Sequence, residues 1–497
     1  MPLVPRLPSV ALPFLCAWLI ALSAGMVYAL VLGRFGSLPL VRVAEHGHPA
    51  SWVGVYAQAK SNLRDDRVLA TLKVRGLIPV KVNGTITNIP VLSAVLVHKQ
   101  FGVSTPLLAL SLLAGDNQRR LGGGHPAPRR LTELRHAARA SVHHVVYGSG
   151  ETAQFYKPSG SLWYATLPSA EAAAWANRSA GPTTCISFDV VDANRTSVAS
   201  ITDCHRPFLL PMPNKPYDIT FCYATPPSRL AVHQLPQSFV YHLGFGASQM
   251  VVYLRRSGRS HLMRLLSSFV SRGLVTILLV DDDAQSTDIV YDLRVVGFET
   301  PCGHFYQRMQ QQVFINDCLN RFKGMSEFVV SLDFDEYLIP YSDIPSRMYG
   351  IAQASFANCT EADFEYYLWT MWKKPGSERQ LLIEAQLREN HTHVGGIPGG
   401  LRKPIMRPER VVNGWVHYPL HCGTPPHMRA CTTCAKPHTG PGAIATFAHI
   451  RLRPDVPGSS LVRDHFFDVQ VDDVRAELCA LMRESDMGCS PTDWSPA

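Results

Sequence analysis

Two aspartates one residue apart, Asp333 and Asp335, follow the apolar run EFVVSL (Glu327–Leu332). In extended backbone, residues i and i+2 project to the same side, so the two carboxylates converge while Phe334 turns the other way. Two hard oxygen ligands at a strand end suit Mn²⁺ or Mg²⁺, ions that keep coordination positions open for phosphate oxygens. Such an ion offsets the charge that grows on a nucleoside diphosphate as its bond to a sugar breaks. An Asp-X-Asp triplet alone is common, and its plain alternative is an acidic loop capping the next helix. Its position between an apolar strand and the segment Glu336-Tyr337-Leu338-Ile339-Pro340 is what gives it weight.

The elements around the pair are predicted from hydrophobic spacing. Phe239 to Leu254 reads as a buried strand. His261–Gly273 has helical spacing through Leu262, Leu265, Leu266 and Phe269. LVTILLV (Leu274–Val280) is a strand buried on both faces, with Asp281-Asp282-Asp283 at its carboxyl end. A helix over Gln307–Phe322 carries Met309, Val313, Leu319 and Phe322 on one stripe, and Glu327–Leu332 is the next strand. Alternating strands and helices predict an α/β domain with a largely parallel sheet, in which ligands bind at the carboxyl ends of strands. Both acidic clusters fall there. Upstream, segments such as VLATLKVRGLIPVKVNGTITNIPV are β-branched and partly alternating, so residues 34–235 read as a stem and a small β-rich module.

The run QQVFINDCLNRFKGMSEFVVSLDFDEYLIP resembles the central motif of the family 92 glycosyltransferases, a helix bearing Asn-Asp-Cys-Leu and then the Asp-X-Asp strand. RKPIMRPERVVNGWVHYP (Arg402–Pro419) is similar to that family's Lys-X-Ile-X-Arg-Pro segment. FAHIRLR (Phe447–Arg453) is similar to its late His-Tyr-Arg motif, with Ile450 in place of the aromatic residue. The resemblance covers residues 215–485. It implies a GT-A (Rossmann-like, mostly parallel) catalytic domain in an anchored Golgi enzyme that transfers galactose from UDP-galactose with inversion. It further implies that Asp333, Asp335 and His449 hold the metal, that Asp282 contacts uracil or ribose, and that Lys403 and Arg407 support the phosphates.

Inverting transfer needs a carboxylate base for the acceptor hydroxyl. Glu384, in LLIEAQLREN, is the candidate by its place in the family pattern, with Glu365 and Asp363 as rivals. Where family members carry Phe-Gly after the Trp, this chain reads Trp369-Thr370-Met371-Trp372, which bears on the donor or acceptor pocket rather than on the metal site. A decayed transferase that only binds carbohydrate is the reading from another class. An anchored hydrolase is weaker, because carboxylates at i and i+2 are too close for inverting hydrolysis, which wants roughly 6.5–9.5 Å.

Location is read from the rest of the chain. No charged residue lies between Arg6 and Arg34, and 7–33 is longer than the roughly 20 residues needed to span a bilayer. Five Asn-X-Ser/Thr sequons (Asn83, Asn177, Asn194, Asn358, Asn390) and a set of 12 cysteines, of which only Cys16 precedes Cys185, fit an oxidising lumen. The 11 cysteines beyond the anchor are an odd number, so at least one is free or pairs between chains, and a homodimer is compatible with the chain. Cys422, Cys431, Cys434 and His438 are of types that suit zinc, but in an oxidising lumen disulfides are the better reading. A net charge of +8 without a dense basic face argues against nucleic acid. The expectation is a Golgi type II membrane protein that acts on a glycan or polysaccharide acceptor. It has a cytosolic tail (1–6), a transmembrane anchor (7–33), a stem with a β-rich module (34–235), a GT-A domain (236–485) and a C-terminal tail (486–497).

Overall fold

The computed structural model describes residues 70–97, 102–113, 129–172, 184–205, 215–223, 246–255, 273–280, 301–340, 347–357, 363–373, 402–424, 427–434 and 445–452. Between these it also describes Gln100, Ser238, Phe239, Tyr241, His242, Leu243, Leu266, Phe269, Val270 and Cys359.

The amino-terminal elements are β1 (Ala70–Leu72), β2 (Gly76–Val82), β3 (Thr85–Val97), β4 (Leu107–Leu112), α1 (Arg129–Ala140), β5 (His143–Tyr147), β6 (Thr152–Gln154), β7 (Leu162–Thr166), β8 (Thr184–Asp192) and β9 (Ser197–His205). Two antiparallel four-stranded sheets, β2-β3-β4-β7 and β6-β5-β8-β9, enclose one core with α1. Strand β4 (LLALSL) is buried along its whole length. Its Leu108, Leu110 and Leu112 face that core, while Leu107 and Ala109 face a second cluster with Val412, as the two-residue side-chain period requires.

The later elements are β10 (Tyr217–Tyr223), β11 (Gln249–Arg255), β12 (Val275–Val280), α2 (Pro301–Phe322), β13 (Ser326–Leu332), β14 (Glu336–Pro340), α3 (Arg347–Phe356), β15 (Asp363–Lys373), β16 (Arg402–Met406), β17 (Val411–Gly414), β18 (Pro419–Thr424), β19 (His427–Ala430) and β20 (Ala445–Leu452). The main sheet runs β1-β12-β11-β10-β13-β16-β15-β20-β14, and β17-β18-β19 form a small antiparallel sheet. Both β1 and β10, on the amino-terminal side of residue 235, are strands of this main sheet. Its central strands are buried on both faces. On β13, Phe328, Val330 and Leu332 join one core while Val329 joins the other.

The expected GT-A, Rossmann-like sheet is not what forms. Strands account for 54% of the described residues against 20% helix, and antiparallel pairings predominate. The parallel order holds from β1 through β12, β11 and β10 to β13. Beyond Leu332 the chain reverses in a tight turn instead of crossing over through a helix. From there β13·β16, β16·β15 and β20·β14 pair antiparallel, with β15·β20 parallel. Strand β14 does not pair with β13 but lies at the far edge beside β20, with β16 and β15 between them as antiparallel neighbours, an order that strand–helix alternation along the sequence does not encode. The expected strand over 239–254 is also shorter than predicted. Strand β11 begins at Gln249, and Ser238, Phe239, Tyr241, His242 and Leu243 hold helical geometry before the positive-φ Gly246.

No helix among the described residues is long and apolar enough to cross a membrane. The predicted anchor at 7–33 lies outside the described residues, as do His438 and most of 261–272.

Candidate active site

Strand β13, in the middle of the main sheet, presents the acidic pair at its carboxyl end. The Glu336 N–H donates to the Asp333 carbonyl at 3.1 Å, closing a turn over residues 333–336. Phe334 points inward and stacks on Tyr223 with centroids 5.0 Å apart, while Asp333 and Asp335 remain half-buried. A second stack under the same turn pairs Tyr337 with His242 at 5.8 Å. Tyr223 Oη is 2.6 Å from Ser238 Oγ and 2.9 Å from His242 Nδ1. Burial holds the His242 pKa down, to about 3, so this ring is neutral and serves packing.

The turn is organised by two residues that the sequence reading left without a role. Glu336 is buried, and its Oε2 accepts the Asp333 N–H at 2.8 Å. Gln311, on α2, donates through Nε2 to Asp333 Oδ1 at 2.7 Å. Neither carried a usable signal. Glu336 looked like one more acidic residue in a run, and Gln311 sits among three glutamines.

Lys403 reaches the turn from β16. The register Val330↔Ile405 brings Lys403 toward the carboxyl end of β13. Its Nζ, completely buried, is 2.7 Å from Glu336 Oε2 and 3.7 Å from Asp333 Oδ2. Burial works against the ammonium, but the combined attraction of Glu336, Asp333 and Asp335 raises its pKa above the usual value. Three carboxylates and one ammonium leave two formal negative charges. Hard oxygen donors carrying that excess suit a divalent cation such as Mn²⁺ or Mg²⁺, for which Asp333 and Asp335 are the residues present.

Arg407 is not brought to this cluster. Four positions along an extended strand separate it from Lys403 by about 13 Å. Its guanidinium lies instead over the Phe356 ring, 4.6 Å from the centroid. The backbone of His449 is opposite Glu336 in the β14·β20 ladder, which places residue 449 next to the turn; its side chain is outside the described residues. Strand β12 ends at Val280 on the same sheet edge as the end of β13, but Asp282 and Glu384 lie outside the described residues. The rival bases Asp363 and Glu365 are on β15 opposite Met406 and Pro404, with backbone alone described.

The Asn-Asp-Cys-Leu run on α2 has structural work. Asn316 Nδ2 donates to the Gly414 carbonyl at 3.2 Å and its Oδ1 accepts the Gly414 N–H at 2.8 Å. A Cβ at Gly414 would lie 2.8 Å from Leu319 Cδ1, so any larger residue there requires the Leu319 side chain to shift. Asp317 accepts from Ser93 Oγ, Tyr253 Oη and Arg321 Nε at 2.6, 2.8 and 2.7 Å. Cys318 is bonded to Cys222 of β10. The cysteines considered for zinc are oxidised: Cys422 pairs with Cys431, and Cys434 with Cys359.

Among comparisons with known proteins, the family model described as Glycosyltransferase family 92 matches residues 217–463. No curated protein matches the chain. The matched segment contains β10 through β20, and so the whole acidic turn with Gln311 and Lys403.

Proposed function

We propose, taking the family 92 match as premise, that this glycosyltransferase domain moves galactose from UDP-galactose to a hydroxyl of a glycan or polysaccharide, with inversion and with dependence on a divalent metal. The observation that carries the reading is the acidic turn Asp333–Glu336 with Lys403 buried inside it, in the matched segment. Asp333 and Asp335 would hold Mn²⁺ or Mg²⁺, with His449 beside them. A bound cation supplies positive charge against the departing diphosphate. Gln311, Glu336 and Lys403 hold Asp333 in place, so its geometry is set before substrate arrives, which is where electrostatic catalysis gains most. A carboxylate takes the acceptor proton, and Glu384 is the candidate. The chain's long uncharged segment at 7–33, its sequons and its disulfides favour anchoring in the Golgi membrane with this domain in the lumen.

The test is release of UDP from a panel of UDP-sugars by the chain made in a secretory host, with Mn²⁺ or EDTA. Turnover of UDP-galactose that needs Mn²⁺ and falls by at least about 10²-fold in Asp335→Asn, with the fold intact, is the expected result. Unchanged activity in that variant would overturn the site. UDP binding without turnover of any donor would favour the carbohydrate-binding reading.

A further inference from the structure

From Gln311 to its end at Phe322, helix α2 is buried on every side, polar residues included. Its apolar residues Val313, Leu319 and Phe322 pack in the core that it shares with the main sheet. Much of its polar side meets the amino-terminal β module. Ser93 Oγ on β3 donates to Asp317 Oδ1 at 2.6 Å. Tyr164 Oη on β7 is 2.6 Å from Asn320 Oδ1 and 2.8 Å from the Val412 carbonyl, and it accepts from Lys323 Nζ at 3.2 Å. The module braces its own side of this contact. The Ala94 N–H, next to Ser93, donates to Asp203 Oδ2 at 2.9 Å, and Arg75 pairs with Asp203 at 2.6 Å.

We propose that the β module over Gly76–His205, which lies outside the family 92 match, is a positioning element of the active site. It fixes helix α2 through Ser93 and Tyr164, and α2 in turn fixes Gln311 against Asp333. A buried polar group on a helix is costly without a partner, and the module supplies partners to Asp317, Asn320 and Lys323 that the main sheet does not. This rests on the glycosyltransferase reading for its kinetic consequence, but not for its structural one.

Tyr164→Phe and Ser93→Ala each remove a single hydroxyl and keep the packing. In the full chain, each is expected to speed amide exchange in Gln311–Phe322 and to lower kcat/KM by up to about tenfold, as supporting hydrogen bonds around a site do. Ser93→Thr, which keeps a hydroxyl, restores both. Because the path runs through Gln311, Tyr164→Phe combined with Gln311→Ala should lose no more than Gln311→Ala alone. Losses that multiply would show that the module acts only on stability, and exchange unchanged in α2 would overturn the proposal outright. Should the wild type turn over no sugar nucleotide, the exchange measurement still decides whether the module holds the helix. The missing turnover would then count against the transferase reading alone.

Discussion

Lys403 Nζ lies 2.7 Å from Glu336 Oε2 in a place closed to water, and the same carboxylate oxygen accepts the Asp333 N–H. One buried ion pair therefore joins β16 to the turn that carries the two aspartates among the candidate metal ligands. Removing one partner of such a pair is far more costly than removing both, because a lone buried charge has nothing to replace water.

Lys403→Met is accordingly expected to destabilise the fold by about 3–5 kcal/mol. Adding Glu336→Gln to it should recover most of that loss, since no fully buried charge is then left unpaired. Thermal denaturation of the two variants checks this; a double variant as unstable as the single one would refute the pairing.

Arg407 and Lys403 should separate in kinetics. With its guanidinium over Phe356, Arg407→Ala is expected to leave KM for UDP-galactose unchanged and to cost about 0.5–1 kcal/mol of stability. A KM that rises strongly in Arg407→Ala would place this side chain at the phosphates after all.

Peptide mapping without reduction should recover the Cys222–Cys318, Cys359–Cys434 and Cys422–Cys431 crosslinks. Elemental analysis should find no stoichiometric zinc at Cys422, Cys431 and Cys434. Replacing both Cys222 and Cys318 with serine is expected to cost about 2–5 kcal/mol, because that bond ties α2 to the main sheet. Zinc that leaves with a chelator and frees those thiols would reverse the assignment.

Asp203 gives the stability a defined pH slope. Burial pushes its carboxyl up to about 6, against the pull of Arg75 and of the Ala94 N–H. The folded chain therefore holds this proton more tightly than the unfolded chain, whose value is 3.8. The group's contribution is fully present below 3.8 and is lost as pH rises through about 6. Asp203→Asn cannot titrate. Its stability relative to wild type should therefore improve as pH rises from about 4 to about 6.5, read from melting curves across that range. A difference that does not vary with pH would show that the carboxyl is not shifted.

How much of this was legible beforehand varies from residue to residue. The strands ending at Val280 and Leu332 and most of helix α2 could be read from apolar runs and helical spacing, because burial on both faces writes itself into local composition. The direction of strands beyond Leu332 could not be read, since the choice between a crossover and a tight reversal depends on pairing partners distant in sequence. Lys403 was recognisable through its motif, yet its partner Glu336 was not, because 67 positions separate them and only the β13·β16 register brings them together. Arg407 looked equivalent to Lys403 in sequence; an extended strand carried it away.

By itself, then, the sequence determined where the acidic pair stands, which strand presents it, and the family motif that contains it. These follow from local periodicity and residue type. Only the tertiary structure decided that the sheet is mixed, that Gln311, Glu336 and Lys403 hold the turn, and that α2 buries its polar face against Ser93 and Tyr164. Apart from the local bond between Glu336 and Asp333, those contacts join residues 22 to 224 positions apart. Such contacts are selected by complementary shape and charge once the chain has folded, and no local pattern encodes them.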